Sequence, residues 1–329
     1  MLYPLLFTPL LQERVWGGRD LGRLYQKPLP PGVPIGESWE IADRPGANSV
    51  VANGPLAGRD LGWLMANHAG ELMGKAPTSQ GRFPLLVKIL DARQALSVQV
   101  HPPAAVAAQL GGEPKTEMWF VTQAAPGAQL LAGLRAGVDQ ATFARKLADG
   151  TVGDCIHALT VAAGDALFLP SGRVHALGAG LVVFEIQQNS DTTYRVFDWN
   201  RLGTDGKPRA LHVEPAMTSI DFRDFEPGLV KAPWERRGGG RVRNLVEDAL
   251  FSVHEWQWPA GYGERLAAPS RPRIVGVATG RLRLDHAASG VAVVLSAGHF
   301  CLLPASVDGV TLEAQAATRC LIAAPGLAG

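Results

Sequence analysis

Polar side chains alternate with apolar ones along two short stretches near the middle of the chain, LSVQVHPP and PKTEMWFV. Because successive side chains of a β-strand point to opposite faces, the first stretch places Ser97, Gln99 and His101 on one face. The second stretch places Lys115 and Glu117 together in the same way. Burying such polar rows is costly unless the groups pair with one another or bind an ion. The pattern therefore predicts either a satisfied network of ion pairs or a metal site.

A further candidate ligand, His175, comes shortly after a Pro-Ser-Gly corner at which a strand is expected to begin. A single histidine in such a place is usually structural. Together with Gln99, His101 and Glu117, however, it completes a set of two imidazoles, one carboxylate and one amide oxygen. This set suits Zn²⁺ and leaves room for water or a substrate oxygen, while the ligand types alone also allow Mn²⁺, Fe²⁺ or Ni²⁺. We expect one metal ion per chain, on the inner face of a small β-barrel.

The composition favours a chain of many short strands and turns. Its 329 residues include 38 glycines and 24 prolines, which interrupt regular structure often. The net charge of +1 and the charged fraction of 19 % indicate no long-range field for nucleic acid or a membrane surface. We therefore expect a mainly β protein whose partner is a small molecule. The sequence leaves the oligomeric state, monomer or homodimer, open.

The cysteines and the N-terminus indicate where the protein works. Cys155, Cys301 and Cys320 are odd in number and form no C-x-x-C pair, which favours a reducing compartment over a disulfide framework. The apolar start MLYPLLFTPLL has no basic segment, and Pro4 and Pro9 would interrupt a signal helix. No run approaches the roughly 18 apolar residues of a membrane span. We expect a cytoplasmic protein.

Two segments depart from the strand-and-turn pattern. Residues 61–75 have apolar side chains at helical spacing, and residues 138–160 have a helical composition with Gly150 as a stop. We expect one or two short helices in the second segment, inserted into a β domain. The polar, turn-rich segment 205–240 ends in three successive glycines and predicts a domain boundary near residue 235.

One internal repeat indicates two barrels of the same kind. AGDALFLPS at residues 163–171 aligns with AGHFCLLPA at residues 297–305, so a turn glycine, a buried strand and a proline corner occur twice. In this alignment His175 falls on Gly309, and the second copy lacks that ligand. We predict a catalytic domain at residues 1–235 and a degenerate barrel without metal at residues 236–329.

Four segments resemble the type I mannose-6-phosphate isomerases, in their short bacterial form within the cupin superfamily. They are GESWEIA, LSVQVHP, KTEMWF and PSGRVHALGAGLVVFEIQQNSDTTYRVFDWNR, and the resemblance runs in order from about residue 15 to residue 215. It implies two cupin-type (jelly-roll) β-barrels, with the helical insertion in the first. It also implies one zinc ion, held by Gln99, His101, Glu117 and His175.

The resemblance further implies an aldose–ketose isomerase that interconverts mannose 6-phosphate and fructose 6-phosphate. In such an enzyme a proton moves between C1 and C2 through a cis-enediol. Lys115 and Arg195 correspond to basic residues near the metal, which can offset the enediolate charge or bind the phosphorylated substrate. Glu185 is a further candidate base, and Ser97 is a candidate substrate contact. Asp191 is expected to order its loop rather than act in catalysis.

Two other functions are compatible with the same residue types. A cupin metal oxygenase would use a two-histidine, one-carboxylate set with Fe²⁺, and a non-catalytic sugar-phosphate-binding cupin would keep the fold without turnover. The glutamine ligand and the pair Lys115 and Arg195 favour the isomerase. The stretch GESWEIA fits a pocket lining and a surface strand with one buried tryptophan equally well.

Overall fold

The computed structural model describes residues 1–327, which form a mainly β protein. The prediction of that fold class is confirmed. The first fifteen strands are β1 (Phe7–Thr8), β2 (Leu10–Gly18), β3 (Ile35–Ile41), β4 (Asp43–Arg44), β5 (Ala47–Asn48), β6 (Val50–Val51), β7 (Leu85–Ala92), β8 (Val98–Val100), β9 (Glu117–Ala124), β10 (Gln129–Leu134), β11 (Ile156–Thr160), β12 (Ala166–Leu169), β13 (His175–Leu177), β14 (Leu181–Gln188) and β15 (Tyr194–Phe197).

The remaining strands follow a helical and irregular connection. They are β16 (Glu235–Arg237), β17 (Gly240–Glu247), β18 (Phe251–Trp258), β19 (Gly263–Arg265), β20 (Arg273–Thr279), β21 (Arg281–His286), β22 (Val291–Ser296), β23 (Phe300–Leu303), β24 (Thr311–Ala314) and β25 (Thr318–Pro325). The α-helices are α1 (Asp20–Tyr25), α2 (Leu61–Met73), α3 (Ala104–Ala107), α4 (Gln140–Ala148) and α5 (Val213–Ser219), with 3₁₀ turns at Val152–Cys155 and Ala287–Ser289.

Two antiparallel sheets in the first part of the chain position the candidate site. One has the order β12-β9-β14-β7-β2-β3, and the other has the order β11-β10-β13-β8-β15. Trp119 and Val183 of the first sheet share one buried apolar cluster with Leu130 and Leu177 of the second. The two sheets therefore pack face to face, and side chains that point between them are removed from water.

A second pair of sheets follows in the C-terminal part. Its orders are β16-β17-β18-β25-β20-β23 and β19-β24-β21-β22. The two six-stranded sheets contribute to a common core, in which the Phe184 and Phe300 rings lie 4.9 Å apart. The N-terminal segment also joins this part, because Leu5 and Leu302 exchange two backbone hydrogen bonds of 2.9 Å.

The two copies of the repeat occupy corresponding places. β12 and β23 each form an edge of their six-stranded sheet. Each strand is preceded by a glycine with positive φ, Gly164 at +100° and Gly298 at +76°, a backbone conformation that favours glycine. The repeat is therefore a shared turn-and-strand geometry as well as a sequence pattern.

The helices agree only in part with the sequence patterns. α2 lies within the expected segment, and its Asp60 cap accepts a 2.7 Å hydrogen bond from the Trp63 amide. In the segment 138–160, α4 and one 3₁₀ turn are followed by β11, where a helix was expected. The chain turns to strand there because Ile156 is buried and pairs with Leu134. Within residues 1–327, the helices are all too short or too polar to cross a membrane.

Candidate metal centre

The predicted ligands come from both sheets of the first pair. Gln99 and His175 are direct partners across β8 and β13, and His101 follows the end of β8. Glu117 opens β9 in the facing sheet. Because the two sheets pack face to face, the side chains of these strands meet between them.

Three of these residues converge closely. The Nε2 atom of His101 lies 3.5 Å from Oε2 of Glu117, and Nε2 of His175 lies 3.3 Å from Oε1. One donor atom from each residue falls within 4.8 Å of the other two, and all three side chains are buried. That spacing allows a single ion to contact two imidazoles and a carboxylate.

Hydrogen bonds fix the orientation of both imidazoles. The Nδ1 atom of His101 lies 2.8 Å from the Thr192 carbonyl, and Nδ1 of His175 lies 2.9 Å from the Arg173 carbonyl. Since a carbonyl only accepts, each Nδ1 carries the proton and each Nε2 presents a lone pair towards Glu117. Nε2 of His101 and Oε1 of Glu117 are buried without a hydrogen-bond partner, while Oε2 of Glu117 is paired with the Lys115 ammonium. Unpaired buried acceptors that point at one another fit a bound cation.

Gln99 borders this cluster. Its amide nitrogen lies 3.2 Å from Nε2 of His175, and its amide oxygen lies 3.4 Å from the Ser97 hydroxyl. The side chain thus contacts the cluster through the nitrogen, and a half-turn of the amide group exchanges the two atoms. Gln99 is in position to supply a fourth donor.

The electrostatics favour the protonation states that a metal requires. Burial lowers the pKa of His101 to about 4, and it also lowers the pKa of His175, so both rings are neutral at pH 7. Burial acts to raise the pKa of Glu117, but the Lys115 ammonium and the His101 ring outweigh it and hold that pKa well below the usual range. Two neutral imidazoles and one carboxylate are the states in which these groups bind metal.

A cavity of about 240 Å³ opens beside the cluster. The predicted residues Ser97, Gln99, Lys115, Glu185 and Arg195 all lie in its wall. The rest of the wall consists of Arg14, Trp16, Glu37, Lys88, Leu90, Leu96, Asp191, Thr193 and Arg209. Gln99 and Lys115 adjoin both the cavity and the cluster, so a molecule in the cavity would lie next to the ion.

Lys115 and Glu185 lie where the cavity meets the cluster. The Lys115 ammonium is 2.8 Å from Oε2 of Glu117 and 4.0 Å from Oε1 of Glu185. Burial acts to lower its pKa, but the two carboxylates outweigh that effect and raise it. Oε2 of Glu185 accepts a 2.9 Å hydrogen bond from the Trp119 indole. A fixed cation and a buried carboxylate thus face the same space.

Arg195 lies on the other side of Gln99, as its partner across β8 and β15. Its Nη1 donates to the Ala210 carbonyl at 2.9 Å, whereas its Nε is buried without a partner. Burial and the neighbouring Arg209 lower the pKa of Arg195. No carboxylate within residues 1–327 forms a salt bridge with this guanidinium, which leaves it available to an anion in the cavity.

Several residues of the cavity wall were not predicted as site residues. Lys88 is the one cationic residue of the largely apolar strand β7, and its ammonium lies 3.3 Å from Oε1 of Glu185. Burial acts to raise the pKa of Glu37, but Lys88 and Arg14 outweigh it and lower that pKa to about 2. Asp191, expected only to order its loop, also lies in the wall. A cationic residue in the middle of a buried strand was the signal that could have identified Lys88.

The fold and the cluster define a β protein with a buried metal centre beside a polar, arginine-lined cavity. The family model "phosphomannose isomerase type I, catalytic domain" matches residues 5–129. The chain belongs to this family, the type I mannose-6-phosphate isomerases, and the resemblance seen in the sequence is confirmed.

The relatives that carry this assignment extend over most of the chain. The probable mannose-6-phosphate isomerase GmuF of Bacillus subtilis is 35 % identical over 319 residues, which is 95 % of this chain and 97 % of the relative. The mannose-6-phosphate isomerase of Streptococcus mutans is 37 % identical over 270 residues, 82 % of this chain and 83 % of the relative. A crystal structure of mannose 6-phosphate isomerase from Bacillus subtilis aligns with a TM-score of 0.88 at 30 % identity, over 98 % of this chain and 99 % of that one.

Proposed function

We propose that this protein is a zinc-dependent isomerase that interconverts mannose 6-phosphate and fructose 6-phosphate. The observation that carries the proposal is the contact between the buried cluster and the cavity, through Gln99 and Lys115. Membership of the type I family supports the choice of substrate. The presence of Lys115 and Arg195 in the cavity wall favours this reaction over an oxygenase or a binding protein.

The metal ligands in this proposal are Gln99, His101, Glu117 and His175. Two neutral imidazoles and a carboxylate suit Zn²⁺, and the Gln99 amide oxygen completes four protein donors. When bound, the ion polarises and orients the sugar oxygens O1 and O2. His101 donates a hydrogen bond to the Thr192 carbonyl, and His175 donates one to the Arg173 carbonyl. These two bonds keep both rings in the tautomer that binds metal.

Arg195 and Ser97 hold the substrate. The half-buried guanidinium of Arg195 presents an unpaired Nε, and the planar donor array of an arginine matches a phosphate or enediolate oxygen. Ser97 is buried immediately before β8 and directs its hydroxyl towards the Gln99 amide. Both residues restrict the sugar to one orientation, which lowers the entropic part of the barrier.

Glu185 exchanges the proton, and Lys115 stabilises the charge that develops. In the direction of the ketose, the Glu185 carboxylate removes the proton from C2 of the open-chain aldose and returns it to C1. The electrons of the broken C–H bond form the enediolate, and the Lys115 ammonium offsets its charge. The proton on O2 is replaced by one on O1 during this step, and the Lys115 ammonium donates hydrogen bonds to the sugar oxygens.

The proposal also divides the chain into two domains, according to the location of these residues. Residues 1–235 form the catalytic cupin domain, with α4 as the helical insertion, and residues 236–329 form a degenerate barrel without metal. The proposal is supported by the two separate pairs of sheets and by the location of all four ligands in the first pair. Residues 328 and 329 lie outside the described part.

The test combines metal analysis with a coupled isomerase assay. The purified protein is expected to contain one zinc ion per chain, to isomerise mannose 6-phosphate and to lose this activity with a chelator. Glu185→Gln keeps the shape of the side chain but removes the base. It should retain zinc and lose both turnover and deuterium exchange from solvent into fructose 6-phosphate. Zinc-loaded protein that neither isomerises nor binds mannose 6-phosphate contradicts the proposal.

A further inference from the structure

A second cavity, of about 480 Å³, lies between the sheets of the C-terminal pair. We call it the C-terminal cavity, and its wall includes Arg237, His254, Trp256, Arg265 and Arg273. None of these residues belongs to the metal centre or to its cavity. Its volume is within the range of small-molecule sites.

The repeat shows which residues of the two cavities correspond. It aligns Leu169 with Leu303, and across the neighbouring strand Leu169 pairs with Glu117 whereas Leu303 pairs with Arg273. Arg273 therefore occupies the position of Glu117. In the second pair of sheets a cationic side chain replaces the carboxylate of the metal centre.

The positions that correspond to His175 and Glu185 have also lost the side chains found beside the metal centre. His175 aligns with Gly309, and a Cβ atom placed on Gly309 would lie 3.0 Å from Nη2 of Arg265. A guanidinium thus lies beside the place of the missing imidazole. Extending the strand pairing to the next strand, from β9 to β14 and from β20 to β25, matches Glu185 with Ile322, so an apolar side chain takes the place of a second carboxylate.

The same pairing matches Lys88 with His254. Lys88 lines the cavity beside the metal centre, and His254 lines the C-terminal cavity. The C-terminal cavity therefore lies at the position of the cavity beside the metal centre, with the carboxylates at the positions of Glu117 and Glu185 replaced. Four arginines and two glutamates remain in its wall: Arg237, Arg243, Arg265, Arg273, Glu235 and Glu264. Such a wall repels a metal ion and attracts an anion.

Donors in the C-terminal cavity lack acceptors. Nη2 of Arg273 donates to the Ala267 carbonyl at 2.9 Å, and no carboxylate of residues 1–327 forms a salt bridge with it. The Arg265 side chain has neither a hydrogen bond nor a salt bridge within the same residues. The Trp256 side chain is only 7 % exposed, yet its indole N–H has no partner. An unsatisfied buried donor is costly, and a bound acceptor would remove that cost.

We propose that the C-terminal cavity is a second binding site, for a small phosphate-bearing metabolite. Arg265 and Arg273 supply the forked donors that bind phosphate oxygens in pairs, and the Trp256 indole supplies one more. The guanidinium of Arg237 lies 5.0 Å from the Trp256 ring centre at the rim, where Glu264 partly offsets its charge at 3.7 Å. Phosphorylated sugars and free phosphate share this chemistry.

The test follows the indole ¹⁵N–¹H resonance of Trp256 in the full-length zinc-loaded protein, assigned with Trp256→Phe. Inorganic phosphate, fructose 6-phosphate and fructose are titrated separately. Inorganic phosphate and fructose 6-phosphate should each shift the resonance until the site is fully occupied, and fructose should leave it unchanged. A lower dissociation constant for fructose 6-phosphate identifies a sugar phosphate as the ligand, and a lower one for phosphate identifies the free anion.

Arg265→Gln and Arg273→Gln should each raise that dissociation constant by about tenfold, since each removes a charge-assisted hydrogen bond. Arg281→Gln is the matched control, because Arg281 is exposed on β21 of the same sheets and outside the cavity wall. Arg265 is also exposed, so its variant carries the test if Arg273→Gln fails to fold. An unshifted resonance, or an equal shift in wild type and both variants, overturns the proposal without bearing on isomerase activity.

Discussion

Lys88 and Glu185 face each other across the adjacent strands β7 and β14, with the ammonium 3.3 Å from Oε1. Their side chains are only 5 % and 4 % exposed. The same ammonium lies 3.9 Å from Oε2 of Glu37 and 4.9 Å from the centre of the Trp39 ring. One lysine therefore lies between two buried carboxylates in the wall of the cavity beside the metal centre.

Lys88→Met is expected to lower the free energy of unfolding by about 3 kcal/mol, because it removes the nearest cation of buried Glu185 and leaves Glu37 with Arg14 as its remaining counter-charge. Urea unfolding at pH 7 measures the change. Arg23→Met serves as the control, since Arg23 pairs with Asp20 on the surface and its loss should produce no measurable change. Equal stabilities of the two variants would show that Lys88 does not have this role.

His175→Ala should remove zinc and activity together, because it deletes one of the two imidazoles that converge on Glu117. Zinc content by atomic emission should fall from one ion per chain to near zero, and turnover of mannose 6-phosphate should fall with it. His68→Ala provides a histidine control, since His68 lies in α2 with Glu71 as its partner, away from the cluster. Full zinc occupancy of His175→Ala would exclude His175 as a ligand.

Arg195→Ala should separate metal binding from catalysis. The guanidinium makes no contact with His101, Glu117 or His175 that an ion would need, so zinc content should stay unchanged. The value of kcat/KM should fall by about 100-fold, the typical loss on removal of one donor to a developing charge. Arg223→Ala, at an arginine that is 90 % exposed, should match wild type in both measurements. Wild-type turnover of Arg195→Ala would remove Arg195 from the catalytic residues.

The alternation of side chains was sufficient to place Gln99 and His101 on one face, because that rule is local to a strand. It could not show that His175 lies beside Gln99, since this depends on the pairing of β13 with β8, 76 residues apart in the chain. The resemblance to a family supplied that connection. Lys88 was missed as a site residue for the same reason, and Glu37, in GESWEIA, was left open between a pocket lining and a surface strand.

Their strands meet β14 through the order β14-β7-β2-β3, and strand order is a long-range property that no local pattern contains. The segment 138–160 contains the short helix α4 and a 3₁₀ turn as expected, but residues 156–160 at its end form strand β11. Composition is an average over a window, whereas the end of the segment becomes strand through the pairing of Ile156 with Leu134. Tertiary pairing outweighed local preference there.

Acid should destabilise the metal-free protein through His101. Burial lowers its pKa to about 4 in the folded state, against about 6.5 in an unfolded chain, so the unfolded state takes up a proton first. The stability that His101 contributes is therefore complete above about pH 6.5 and is lost as the pH falls towards 4. Urea unfolding of chelator-treated protein between pH 7 and pH 5 measures this loss, and His101→Gln should reduce it.

The difference between wild type and His101→Gln is the informative quantity, because other groups titrate in the same window. Burial raises the pKa of Asp91 to about 6, which makes its contribution change with pH in the opposite direction in both proteins. Subtracting the two pH profiles removes that contribution. Identical profiles would mean that folding does not lower the pKa of His101, which would contradict burial as the cause of a neutral ring in the folded protein.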